Sequence, residues 1–92
     1  MKKAILEFWE YICKNYNEEE MYEHLENHGI KKEHLNKKYI SRLKMEDAEE
    51  MMFQLFWAFQ DLTGKDRYIE LYDILEEATS LKGDKIDKAM GF

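Results

Sequence analysis

The sequence predicts an all-α fold, a compact four- or five-helix bundle in a single domain spanning residues 1–92, and three observations carry that prediction. Proline and valine are absent while Leu, Met, Glu, Lys and Ala abound, a composition suited to helices; average usage would supply about 5% proline. Apolar residues recur at helical spacing along most of the chain, and Gly29, Gly64 and Gly83 stand where those runs end. Lastly, Met51-Met-Phe-Gln-Leu-Phe-Trp-Ala-Phe59 holds four aromatic residues within seven and no charge. Only burial accounts for such a stretch, so its helix is expected at the centre.

The first helix is predicted over residues 2–16. Ile5, Leu6, Phe8, Trp9, Ile12, Cys13 and Tyr16 form a wide apolar arc, and Lys3, Glu7, Glu10 and Lys14 share the remaining face. Lys3–Glu7 and Glu10–Lys14 are i,i+4 pairs of opposite sign, as on an ordinary solvated face. Asn17 followed by three glutamates is a helix start, with a side-chain cap and carboxylates at the positive end of the dipole. The second helix, 18–28, buries Met21, Tyr22 and Leu25 and stops at Gly29.

From Lys31 to Lys44 the charge inverts. Lys31, Lys32, Lys37, Lys38, Arg42 and Lys44 face only Glu33, a local +5 in a chain of −6, so the remainder carries −11. Leu35, Tyr39 and Leu43 recur every four residues, which predicts a basic helix with one buried stripe and with His34, Lys37, Lys38, Ser41 and Lys44 towards water. The central helix then runs from Met45 to Leu62, opening on Glu46, Asp47, Glu49 and Glu50. Its main arc is Met45, Ala48, Met51, Met52, Leu55, Phe56, Ala58, Phe59 and Leu62, with Phe53 and Trp57 on the other side. A last long helix over 66–82 is expected to bury Tyr68, Leu71, Tyr72, Ile74, Leu75, Ala78 and Leu81. Residues 84–92 read as a loosely attached tail, with Ile86, Ala89 and Met90 inward and Gly91-Phe92 frayed.

Several function classes drop out. A chain of 92 residues buries only somewhat more than about 60% of its unfolded surface, so a second copy or another protein is a cheap source of buried area. The single cysteine, Cys13, forms no internal disulfide, which fits a reducing, cytoplasmic address. Lys2-Lys3 precede an apolar run that Glu7 and Glu10 interrupt too soon for a signal peptide. No stretch reaches the roughly 18 apolar residues of a membrane span. Asp61-Leu-Thr-Gly-Lys-Asp places its glycine fourth rather than sixth, which rules out an EF-hand. Ser41 and Ser80 have no neighbouring base, and no glycine-rich phosphate loop occurs. The expectation is a non-enzyme without cofactor. Abundant Lys, Glu, Asn, Ile and Tyr suit an AT-rich genome, such as that of a low-GC bacterium or its phage.

Four constellations remain as candidate sites. Asp66, Glu70, Asp73 and Glu77 fall at i, i+4, i+7 and i+11, a carboxylate stripe with no Lys or Arg within it and only Arg67, to one side and three residues before Glu70, at i,i+3 or i,i+4 spacing. Like-charge neighbours cost about 0.2–0.5 kcal/mol per pair, so either a basic partner compensates or the stripe is a solvated face balanced by residues 31–44. Phe53 and Trp57, one turn apart between Glu46 and Glu50, would anchor a partner or homodimer interface if left exposed. Glu20, His24 and His28 form an i,i+4 ladder, a weak divalent-metal candidate against the simpler reading of histidines at a packed edge.

The fourth constellation is Met21-Tyr-Glu-His-Leu-Glu-Asn-His-Gly-Ile-Lys-Lys-Glu-His-Leu-Asn-Lys-Lys-Tyr39, which resembles a helix-turn-helix motif. The resemblance puts Gly29 in the turn and makes Lys31, Lys32, His34, Lys37 and Lys38 a DNA-facing set, to which Arg42 and Lys44 add charge. Leu25 departs from it where a small residue is needed, and His24 where an apolar one is. The sequence is thus expected to encode a small acidic inhibitor or regulator that binds a basic, nucleic-acid-handling protein by charge mimicry, in the manner of a phage anti-defence or anti-CRISPR protein. The alternatives are a DNA-binding regulator using 31–44 and a structural homodimeric subunit.

Overall fold

The aromatic stretch lies in the longest helix of the chain, and the other elements assemble on it. The computed structural model describes residues 1–92 as α1 (Lys2–Asn15), α2 (Glu18–Asn27), α3 (Lys37–Ser41), α4 (Met45–Thr63), α5 (Tyr68–Ala78) and α6 (Asp84–Ala89), with a 3-10 turn at Lys32–His34 and no strand. α4 buries Ala48, Met51, Met52, Leu55, Phe56, Ala58 and Phe59 against α1, α2 and α6. α5 packs on α1 and α6, and α3 on α1. The fold is therefore an all-α single domain with four long helices and two short ones.

The core is one cluster of 21 buried apolar residues. Phe59 sits at its middle, with its ring edge-on to Phe8 at 5.1 Å and to Tyr16 at 5.4 Å. Edge-to-face pairs of this kind add about 0.5–1.5 kcal/mol each beyond the area they bury. Met45, expected on the core arc, is 59% exposed; it is the first residue of its helix.

The helix ends follow local side-chain chemistry. Asn17 caps α2 by accepting from the Glu20 N–H at 3.1 Å. Gly29 ends α2 at φ 84°, with its own N–H donating to the Glu26 carbonyl and the Ile30 N–H to the Leu25 carbonyl. This is the double bond pattern of a glycine-terminated helix, and the accompanying apolar contact is between buried Leu25 and Ile30.

Two expected helices are shorter than their periodicity suggests. The basic segment is not one helix. Asn36 accepts from the Tyr39 N–H at 2.8 Å and donates to the Glu33 carbonyl at 2.5 Å, so it starts a new helix where the old pattern would have continued. The buried residue of that helix is Ile40, at 1% exposure, while Tyr39 is 39% exposed and Leu35 and Leu43 are half-buried. α5 likewise begins at Tyr68 and ends at Ala78 rather than spanning 66–82. Thr79 terminates it: the hydroxyl donates to the Leu75 carbonyl at 2.6 Å and accepts from the Leu81 N–H at 3.2 Å.

Residues 84–92 pack closely instead of fraying. Ile86, Ala89 and Met90 are buried, and the Phe92 N–H donates to the Asp87 carbonyl at 2.8 Å across Gly91 at φ 87°. Glu7 does not pair with Lys3; it accepts from both the N–H and hydroxyl of Ser80, at 3.0 and 2.9 Å, and so ties the α5–α6 connection to α1.

Candidate partner-binding surfaces

The outward side of α5 carries most of the predicted acidic stripe. Glu70, Asp73 and Glu77 lie on the helix and are exposed, whereas Asp66 precedes it in the connection from α4. Glu70 is neutralised by Lys65, whose Nζ lies 2.5 Å from the carboxylate. That hydrogen bond holds the Glu70 carboxyl below its usual range and raises the Lys65 ammonium. Lys65 is five residues away and outside the helix, which is why i,i+4 spacing does not reveal it. Asp66, Asp73, Glu76 and Glu77 make no ion pair. Glu77 borders a hollow of about 390 Å³ that it shares with Glu7, Glu10, Tyr11 and Lys14.

Ile69 was not singled out by the sequence, yet it is 73% exposed. At 3.6 residues per turn it falls between Asp73 and Glu76, opposite Leu71 and Leu75, the buried residues of α5. Tyr68, expected in the core, is 44% exposed because the helix starts with it; its hydroxyl donates to the Asp87 carboxylate. Phe92, at 79% exposure, meets the Tyr68 ring edge-on at 5.5 Å, and the Tyr72 ring centre lies 5.9 Å from that of Tyr68. The acidic side of α5 thus has an apolar residue at its middle and aromatic rings along its flank. A helical wheel places Ile69 outside the core arc and was the one available signal for it; the approach of Phe92 to Tyr68 is tertiary and leaves no local trace.

The Phe53 and Trp57 rings meet at a tilt of 59° with centres 5.0 Å apart but have different surroundings. Trp57 is 48% exposed and meets the His28 ring edge-on at 6.1 Å. Phe53 is half-buried beneath Gly91, so close that a Cβ at Gly91 would stand 2.3 Å from Phe53 Cε2. The element over Phe53 is the C-terminal segment, and only Trp57 stays open as an anchor.

The cations of residues 31–44 are all unpaired. Lys31, Lys32, Lys37, Lys38, Arg42 and Lys44 take part in none of the four ion pairs, so acidic and basic regions do not neutralise each other by direct contact. Lys32 lies over the Tyr22 ring, 5.0 Å from its centre. Lys2 joins the group from α1, its Nζ donating to the Ser41 carbonyl at 3.0 Å. The helix-turn-helix reading is corrected: Lys31, Lys32 and His34 lie on or beside the 3-10 turn, and Lys37 and Lys38 open a helix of five residues, so no recognition helix forms.

The Glu20, His24 and His28 ladder does not assemble, and no three His, Cys, Asp or Glu residues of the chain converge as metal ligands. His28 is used otherwise, with Nε2 2.5 Å from an Asp61 carboxylate oxygen. Burial, with Glu18 adding to it, pushes the Cys13 thiol up, away from a reactive thiolate. The Tyr22 hydroxyl donates to Glu18, which pushes it up to about 12. No helix is long and apolar enough to cross a membrane. Comparison with known protein families, with characterised proteins and with solved structures finds no match to this chain.

Proposed function

We propose that this protein acts without catalysis, by docking the outward face of α5 on a basic surface of another protein. One observation carries the reading: Ile69, 73% exposed, stands between Asp73 and Glu76, neither of which has a cation of its own. Isolated exposed carboxylates need no explanation, but an apolar residue held fully outward on a helix among unpaired acids has the make-up of an interface, with a desolvated anchor inside a charged rim. The acids would speed encounter with a positive surface, and Ile69 with the flanking Tyr68 and Phe92 would supply burial. The target class that fits best is a nucleic-acid-handling enzyme, whose phosphate-binding groove an acidic helix can occupy in place of nucleic acid. The sharper form is an inhibitor of anti-CRISPR or anti-restriction type, acting in the cytoplasm.

The test is capture of a partner from lysate of the source cell at about 50 and 300 mM salt, a range over which surface-charge attraction is progressively screened. A partner held at low salt, released at high salt, and lost on Asp73→Lys plus Glu77→Lys is the expected result. Ile69→Ala should weaken it by about tenfold, the cost of a central interface residue, while leaving the fold intact because the side chain touches no core. A partner indifferent to all three substitutions but lost on Trp57→Ala would move the interface to α4 and refute the reading. A homodimer through Trp57 would show as a doubled light-scattering mass that Trp57→Ala halves.

A further inference from the structure

The break in the basic segment builds a hollow that an unbroken helix would not have. It lies between the 3-10 turn and α3, has a volume of about 510 Å³, and is lined by Glu33, Asn36, Lys38, Tyr39, Arg42 and Leu43. Lys38 and Arg42 are i,i+4 neighbours of like sign, and neither has a carboxylate partner in a chain with 20 acidic residues. Tyr39 and Leu43 border both this hollow and a second one, to which His34 belongs. His34 stacks on Tyr39 with ring centres 4.4 Å apart and planes 15° from parallel, so the Tyr39 ring is held flat and in place while 39% exposed. Asp47 and Glu50 line the second hollow, which leaves the Lys38–Arg42 side as the one that attracts anions.

We propose that this hollow binds single-stranded nucleic acid, with a backbone phosphate on Lys38 and Arg42 and a base against Tyr39. A plain anion fits less well, because Glu33 also lines the site; for a nucleotide, that carboxylate can accept from an amino group or a sugar hydroxyl. A duplex fits less well again. Readers of the major groove insert a helix or ribbon, whereas α3 has five residues and borders a concavity. A fixed, partly exposed ring beside free cations is the pattern that takes unstacked bases without regard to sequence. Lys2, docked on Ser41, and Lys37 extend the positive surface beyond the hollow. The inference is independent of the α5 reading, since it uses different residues and different variants.

The test is fluorescence anisotropy of a short labelled oligothymidylate and of a duplex of the same length, titrated with the whole protein at several salt concentrations. The expected result is binding that favours the single strand and weakens with salt. Tyr39→Ala should reduce affinity by about five- to a hundredfold, the worth of one stacked base. Lys38→Gln plus Arg42→Gln should lower the salt slope by about 0.7 for the phosphate contact they lose. Both variants alter exposed side chains, and unchanged helicity by circular dichroism confirms their fold; Ile69→Ala should bind like wild type. Absence of binding at about 50 mM salt, equal affinity for the duplex with Tyr39→Ala silent, or salt-sensitive self-association that occupies the hollow with a second copy would each overturn the proposal.

Discussion

Asn36→Ala gives opposite results according to whether the basic segment is one helix or two pieces. In a continuous helix over 31–44, Asn36 would be an interior position, where alanine is the better helix former by up to about 0.7 kcal/mol, and the substitution would stabilise. In the observed structure it removes two bonds. Losing the cap to the Tyr39 N–H costs about 1 kcal/mol, and losing the exposed bond to the Glu33 carbonyl costs about 0.5 kcal/mol more. The expected destabilisation is therefore about 1.5 kcal/mol. Against a total of about 5–14 kcal/mol for a chain of this length, that is readily measured.

Urea unfolding followed by circular dichroism is the assay. With a slope of about 1 kcal/mol per M for a protein of this size, the midpoint should fall by about 1.5 M. Asn17→Ala, which loses a single capping bond at α2, is the internal reference and should cost about 1 kcal/mol. Asn36→Asp keeps the acceptor and loses the donor, so it should fall between wild type and Asn36→Ala. Hydrogen exchange at the Tyr39 amide should quicken in Asn36→Ala, because α3 is far below the roughly 12–15 residues at which an isolated helix becomes stable. An Asn36→Ala protein as stable as wild type within about 0.5 kcal/mol, the range of an ordinary surface change, or one more stable, refutes the broken-helix account and with it the hollow beside Tyr39.

Gly91→Ala should free the C-terminal segment from Phe53, since it combines φ 87° with a Cβ 2.3 Å from the Phe53 ring. Left-handed strain alone is about 1–2 kcal/mol, and the readout is loss of exchange protection at the Phe92 amide; retained protection would show that the ring simply moves aside. Tyr22 and Tyr68 donate to Glu18 and Asp87, and these hydrogen bonds push both phenols up to about 12. A phenol raised above its ordinary 10.0 favours folding fully below pH 10 and loses that contribution as pH climbs towards 12. Ultraviolet titration should show Tyr22 and Tyr68 ionising late, with Tyr11 also raised by its burial, and Glu18→Gln should return Tyr22 towards 10.0 while leaving Tyr68 late; simultaneous ionisation of all six would contradict both bonds.

What the sequence made legible was set by signals confined to a few neighbouring residues. Asn17 with its glutamates, Gly29 after an apolar run and the uncharged aromatic stretch each name a physical requirement on the spot, and the corresponding elements stand where expected. Periodicity misled where a polar side chain competed for the backbone. Leu35, Tyr39 and Leu43 keep perfect spacing, yet Asn36 and Thr79 offer hydrogen bonds that end one helix and begin another. Both residue types are known to do this, so those two breaks were readable in principle. The Lys65–Glu70 pair and the closure of Gly91 over Phe53 were not. They depend on how the chain turns after Gly64 and on where α6 lands, and both are consequences of packing.

The electrostatics follow the same division. A net charge of −6 suggests repulsion from nucleic acid and attraction to basic proteins, yet the sum says little about either surface. At physiological salt a charge is felt over about 8 Å, a fraction of the molecule's 31 Å length, so each partner responds to what lies beneath it. Under one partner would lie α5, where Lys65 removes Glu70 from the field and Asp73, Glu76 and Glu77 remain. Under the other would lie α3 and the start of α1, where Lys2 is added to cations that no carboxylate quenches. Both elements rest on α1, α3 at its first turn and the end of α5 through Glu7 and Ser80. The fold thus keeps the acids of α5 and the cations of residues 31–44 on separate elements that do not pair with one another, and it is this separation, rather than the total, that would let one small acidic chain present the two faces proposed above.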